Sequence, residues 1–258
     1  MSTRNNPPHR DPLSARNSPL LCYVTDRRAL GIANPADSLA VLIEKIQEIV
    51  AAGVDWVQIR EKDLPARELA SLTQQALAIA AKYSAKRSFA ARVFVNDRLD
   101  VAIAEHAAGV HLGEKSLPVT EAKRLIQSVL PKQSAGESFL AGLSCHSLAA
   151  AQAAECDGAD YIFFGPIFAT PSKETFGPPQ GLERLAQVCG ATSIPVLAIG
   201  GVTLHNAESC VSAGAAGIAA IRLFQDAIDP SGVTQALHQL VTVYRHPAPE
   251  DRARPPRR

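Results

Sequence analysis

Eight alternations of a short apolar run with a longer helical one predict that this 258-residue chain folds as a single closed (β/α)8 barrel, an α/β architecture. Two further observations point to the same class. Every strand candidate is apolar along its whole length, as expected where both faces of a parallel sheet are covered. A glycine-bearing helix-to-strand turn also recurs, as Ala-Ala-Gly-Val-Asp at 51–55, Ala-Ala-Gly-Val at 107–110, Asp-Gly-Ala-Asp at 157–160 and Ala-Gly-Ala-Ala-Gly at 213–217.

The strand candidates are 20–25, 54–60, 92–96, 109–112, 139–144, 160–165, 194–199 and 216–222. After each, apolar residues fall at helical spacing, over 37–51, 65–83, 98–107, 118–130, 147–156, 181–189, 204–213 and 231–244. Pro65 and Pro118 stand where helices begin, a place that tolerates the missing N–H, while Gly53, Gly109, Gly158 and Gly214 follow helix ends. An open doubly wound sheet is the alternative, but no G-x-G-x-x-G stands at a first strand-to-helix turn.

Hydrophobic residues make up 47% of the chain and charged ones 20%, and no apolar run approaches the ~18 residues of a membrane span. The net charge of +1 conceals basic ends: Arg4, Arg10 and Arg16 against Asp11, and five arginines from 245 onward against Glu250 and Asp251. Without interleaved aromatics, these ends read as solvated tails rather than nucleic-acid or membrane contacts. The expected division is a disordered tail over 1–19, a barrel over 20–244 and a disordered basic tail over 245–258. The five cysteines form no C-x-x-C pair and fall mostly in apolar stretches, as reduced, packed thiols do. No apolar leader segment precedes the barrel, so the cytoplasm is the expected location, and the sequence leaves open a homo-oligomer.

Polar residues gather where the strand candidates end, which in α/β proteins is where ligands bind. The second ends in Gln58, Arg60 and Lys62, alternate residues that point the same way from an extended chain. They would converge on an anion, or else the two cations would pair internally with Glu61 or Asp63. The third ends in Asn96-Asp97, hard oxygen donors suited to Mg2+ on phosphate oxygens, or caps for the helix beginning near Arg98. After the sixth, the connection 169–180 carries Thr170, Ser172 and Lys173 and reads as a phosphate-wrapping lid, with a solvated loop as the plainer alternative.

Gly200-Gly201 ends the seventh strand and Ile221-Arg222 the eighth, where barrels often hold phosphate through backbone N–H groups; a simple tight turn is the other reading of the glycine pair. Two anion sites across one mouth result. Ser144 and His146, after strand five, would meet a heteroaromatic ring or shuttle a proton, with a helix-start role equally open to His146. His111, inside strand four, reads as a packed or hydrogen-bonded structural histidine.

Taken in order, Tyr23-Val24-Thr25-Asp26, Gln58 to Lys62, Val95-Asn96-Asp97-Arg98, Gly109 to Gly113, Ser144-Cys145-His146-Ser147, Gly165 to Phe168 with Thr170 to Lys173, and Ala198 to Val202 resemble the thiamine-phosphate synthase family. The resemblance spans positions 20 to 228. It implies a (β/α)8 transferase that joins hydroxymethylpyrimidine diphosphate to a thiazole phosphate and releases pyrophosphate with Mg2+. It further implies that Gln58, Arg60, Lys62, Asn96 and Lys173 hold the diphosphate, Asp97 binds metal, and Ser144 meets the pyrimidine. Thr170, Ser172, Gly201 and the Ile221-Arg222 backbone would hold the thiazole phosphate, leaving Arg60, Lys62, Ser144 and Lys173 as the catalytic set.

Two departures stand out. The family usually continues His-x-Gly-Gln-Glu-Asp, with the last Asp a second metal ligand, whereas this chain has His111-Leu112-Gly113-Glu114-Lys115-Ser116. Ser116 or Glu114 is then left to complete the metal site. Arg222 stands where Ser is common and would add charge to the thiazole phosphate. The departures admit a thiazole tautomerase-like isomerase using His146, or a catalytically lapsed barrel that binds a phosphorylated ligand.

Overall fold

The computed structural model describes residues 17–84, 91–130, 138–170 and 178–242. The two tails therefore lie mostly outside the described residues. Eight parallel strands close a barrel in chain order: β1 (Leu20–Val24), β2 (Trp56–Ile59), β3 (Arg92–Asn96), β4 (Gly109–Leu112), β5 (Leu140–Cys145), β6 (Tyr161–Phe164), β7 (Val196–Ile199) and β8 (Gly217–Ala220). Pairing of Cys22 with Ala219 and Tyr23 with Ala220 joins the last strand to the first. No open edge remains, so every strand is covered by a neighbour on each side and by helices outside.

The helices are α1 (Ser38–Ala52), α2 (Ala66–Ser84), α3 (Leu99–Ala104), α4 (Val119–Val129), α5 (Leu148–Cys156), α6 (Gly181–Ala191), α7 (Leu204–Ser212), α8 (Arg222–Gln225) and α9 (Pro230–His238). In α1, Leu42, Ile46, Ile49 and Val50 recur at helical spacing and are buried, and Gly53 ends the helix in a left-handed conformation with φ of 118°. Where the sequence suggests a strand to residue 222 and a helix over 231–244, β8 stops at Ala220, Arg222 opens the short α8, and α9 ends at His238. Single-turn elements such as α8 and the 3-10 helix Arg27–Leu30 are too short for a periodic pattern to announce them.

Strand period sorts the core in two. Leu21, Tyr23, Val57, Ile59, Val93 and Val95 face the helical layer, while Leu20, Cys22, Trp56, Phe94, Tyr161 and Phe163 fill the barrel. Inside, Trp56 sits 4.5 Å from Phe94 and 4.8 Å from Tyr161 between ring centroids. Gly142 on β5 makes room for this cluster, because a Cβ there would lie 2.1 Å from the Tyr161 ring. Two residues further along the same strands, the interior turns polar.

Candidate active site

That polar layer consists of Gln58 above Trp56, Asn96 above Phe94, His111 on β4 and Ser144 above Gly142. It floors a cavity of about 330 Å³, whose wall also includes Arg60, Phe163, Thr170, Gly201, Ile221 and Arg222. The cavity opens at the C-terminal ends of the strands, as the sequence suggests. Nine of the predicted positions, Gln58, Arg60, Asn96, Ser144, His146, Thr170, Gly201, Ile221 and Arg222, meet at this one mouth. Lys62 is exposed in the turn after β2, outside the cavity wall, and Glu114 is exposed in the turn after β4. Ser172 and Lys173 lie outside the described residues.

A directed chain of hydrogen bonds crosses the floor. Gly113 N–H and the Ser116 hydroxyl donate to Asp97 Oδ1, and Asn96 Nδ2 donates to Asp97 Oδ2 at 2.7 Å. A carboxylate only accepts, so it fixes the Asn96 amide with Oδ1 toward Gln58, whose Nε2 donates to it at 2.8 Å. Gln58 Oε1 is thereby turned away, buried and without a partner among the described residues. Such an acceptor calls for a ligand N–H or O–H; phosphate oxygens, which also accept, cannot satisfy it.

Asp97 adopts φ of +61°, in the left-handed region that non-glycine residues avoid. The N-cap of α3 is Arg98 and takes no side-chain hydrogen bond, so neither Asn96 nor Asp97 caps that helix. The capping alternative is set aside. Asp97 and Ser116 instead offer a carboxylate beside a hydroxyl, both hard oxygen donors of the kind Mg2+ prefers. Among the described residues no group of three or more His, Cys, Asp or Glu could hold a metal ion.

Ser144 Oγ lies 2.9 Å from His111 Nε2, and Nδ1 of the same ring lies 3.3 Å from Tyr161 OH. Burial pushes the Tyr161 phenol well above its ordinary range, keeping it a neutral hydroxyl. His111 is thus packed, as expected, but it also touches the predicted ring-binding serine. His146 donates through Nδ1 to the Gly165 carbonyl, while Ser147, which accepts from Ala150 N–H at 3.1 Å, caps α5. The neighbouring Cys145 thiol is raised to about 12, by burial first and the Glu114 carboxylate second, and is no nucleophile.

On the far wall, Gly200 and Gly201 have φ of 93° and 68°, and a Cβ on Gly201 would fall 2.7 Å from Ala169 O. Only glycine fits this close approach. Asn206 holds the turn, donating to Gly201 O at 3.1 Å and accepting from Thr203 N–H at 2.8 Å. No sequence signal marked Asn206, because helix-start asparagines are common. Arg27 was also missed: its guanidinium binds Glu61 and Asp63, the two carboxylates considered as partners for Arg60 and Lys62. Among the described residues, Arg60 and Lys62 form no ion pair.

The thiamine monophosphate synthase family matches residues 29–224. The thiamine-phosphate synthase of a Roseiflexus species is 37% identical over 90% of this chain and 89% of its own. The chain belongs to the thiamine monophosphate synthase family. The thiamine-phosphate synthase of Methanoculleus marisnigri is 41% identical over 77% of this chain and 84% of its own. Among solved structures, the thiamine phosphate pyrophosphorylase of Pyrococcus furiosus superposes with a TM-score of 0.70 at 32% identity, covering 87% of this chain and 96% of that one. These synthase relatives do not favour the tautomerase or lapsed-barrel alternatives. Among the described residues, no helix is long and apolar enough to cross a membrane.

Proposed function

We propose that this member of the thiamine monophosphate synthase family is a transferase that condenses 4-amino-2-methyl-5-hydroxymethylpyrimidine diphosphate with a hydroxyethylthiazole phosphate, carboxylated or not, giving thiamine phosphate, pyrophosphate and, from the carboxylated substrate, CO2. The observation that carries the reading is Gln58 Oε1, a buried acceptor without a partner among the described residues, on a floor whose rim carries Arg60. An amino-bearing ring with an attached diphosphate satisfies both at once. Gln58 accepts from the pyrimidine amino group, in place of the direct diphosphate contact expected from the sequence. Ser144 meets the ring nitrogen edge, and Phe163 lies along the apolar wall.

Arg60 and the second N–H of Asn96 bind the diphosphate, with Lys62 at the rim and Lys173 kept as a further cation from the sequence alone. The carbon–oxygen bond at the pyrimidine methylene breaks, and pyrophosphate leaves with the electron pair. Arg60 stabilises the charge that grows on the departing oxygens. By accepting from the amino N–H, Gln58 pushes electron density into the ring and steadies the methylene cation. The thiazole nitrogen then donates its lone pair to that carbon. No protein nucleophile takes part.

Thr170, Gly201 and the Ile221-Arg222 backbone hold the thiazole phosphate on the opposite wall, with the Arg222 side chain adding charge and Ser172 kept as a ligand from the sequence alone. Mg2+, held by Asp97 with Ser116 beside it, would neutralise the leaving diphosphate when bound. The catalytic unit is taken as residues 20–244, flanked by tails, acting in the cytoplasm on phosphorylated small molecules. Five free cysteines accord with a reducing compartment.

The test is a condensation assay with both substrates and Mg2+, following pyrophosphate by phosphorus NMR. Equal amounts of pyrophosphate and thiamine phosphate are expected. Isomerisation of the thiazole without pyrophosphate release contradicts the synthase assignment.

A further inference from the structure

Glu61 lies between two cations in the chain, Arg60 and Lys62, yet it pairs with neither. Its side chain is 2% exposed, and a buried carboxylate strongly demands a partner. That partner comes from the segment after β1. Arg27 Nη1 donates to Glu61 Oε2 at 2.9 Å, and the Arg27 backbone N–H lies 3.2 and 3.3 Å from the two carboxylate oxygens. Asp63 grips the rest of the guanidinium through two bonds of 2.7 and 2.5 Å, which fixes its plane.

Thr25, fully buried, ties the same strand end together. Its N–H donates to Gln58 O at 2.9 Å, and its Oγ1 accepts from Arg60 N–H at 2.9 Å and donates to Glu61 Oε1 at 2.7 Å. One residue thus bonds to Gln58, Arg60 and Glu61 in the segment that carries the floor amide and the rim arginine. Alternation along an extended chain sends Gln58 and Arg60 toward the cavity and Glu61 away from it.

We propose that Arg27 and Thr25 form a clamp that occupies Glu61, and by doing so keeps Arg60 and Lys62 free to bind a diphosphate group. The three residues are positioning residues for the reaction. The inference rests on the synthase reading above and adds to it a reason why a carboxylate can sit inside a cationic motif without quenching it. Without Arg27, Glu61 competes with the ligand for the nearest cations.

The test measures binding of inorganic pyrophosphate by calorimetry alongside KM for each substrate. Arg27→Ala weakens pyrophosphate binding about tenfold and raises KM for the pyrimidine diphosphate but not for the thiazole phosphate. Adding Glu61→Gln to Arg27→Ala restores most of the lost affinity, because a neutral amide still accepts from Thr25 without attracting Arg60 or Lys62. Arg27→Lys, which keeps a cation beside Glu61, stays near wild type and serves if the alanine variant fails to fold. Unchanged affinity in folded Arg27→Ala, or no recovery in the double variant, overturns the clamp alone. Wild-type protein that binds no pyrophosphate overturns the clamp and the synthase reading together.

Discussion

Two layers of one barrel, built from the same strands two residues apart, have opposite chemistry. In the lower layer Trp56, Phe94 and Tyr161 pack ring against ring, and in the upper layer Gln58 bonds to Asn96 and His111 to Ser144 in the floor of a cavity. The lower layer packs by ring contact, and its Tyr161 hydroxyl is met by His111 above. The upper layer keeps an acceptor open, since Gln58 Oε1 has no partner among the described residues. Strand period alone carries the chain from one regime to the other, so stability and chemistry are separable by a step of two residues.

The sharpest break between the layers is expected from Arg60→Ala, which should lower kcat/KM for pyrophosphate release by ~10³-fold while thermal melting stays unchanged. Parallel loss of fold and activity would erase the distinction. In the lower layer, Trp56→Ala should cost about 3–5 kcal/mol in urea unfolding, with KM preserved in the folded fraction. Gln58→Leu should reduce turnover by about tenfold to a hundredfold yet shift stability by less than about 1 kcal/mol, since it removes an unsatisfied acceptor as it breaks the bond to Asn96.

The smallest effect concerns the rim. Hydrogen bonds from Arg27 hold the Asp63 carboxyl well below its usual range, despite a partial desolvation that opposes them. A carboxylate depressed in the folded state contributes stability that is complete above its unfolded pKa of ~3.9 and is lost as pH falls toward the folded value. Asp63→Asn should therefore lower neutral-pH stability slightly, because Asp63 is partly exposed, and flatten the acid limb of a pH–stability curve below about pH 4 by the same small amount.

The barrel was legible because apolar strands, helical spacing and glycine turns all agree, from Gly53 to Gly214. The upper layer was legible in part: Gln58 and Arg60 share a strand phase, and Asn96-Asp97 ends a neighbouring strand. The direction of the Gln58 amide was not, because it is dictated by Asp97 through Asn96, 38 residues away in the case of the Gln58 bond. Likewise Arg27 and Thr25 reach Glu61 across 34 and 36 positions, a distance no local pattern spans. Local spacing reveals which face a side chain shares; it says nothing of which partner across the barrel fixes its polarity.

The most direct test of the central claim is a crystal structure of the chain with the pyrimidine diphosphate and Mg2+. The amino group is expected within hydrogen-bonding distance of Gln58 Oε1, and the diphosphate against Arg60, with Mg2+ between it and Asp97. A diphosphate bound away from Arg60, with Gln58 Oε1 still unpartnered, would contradict it.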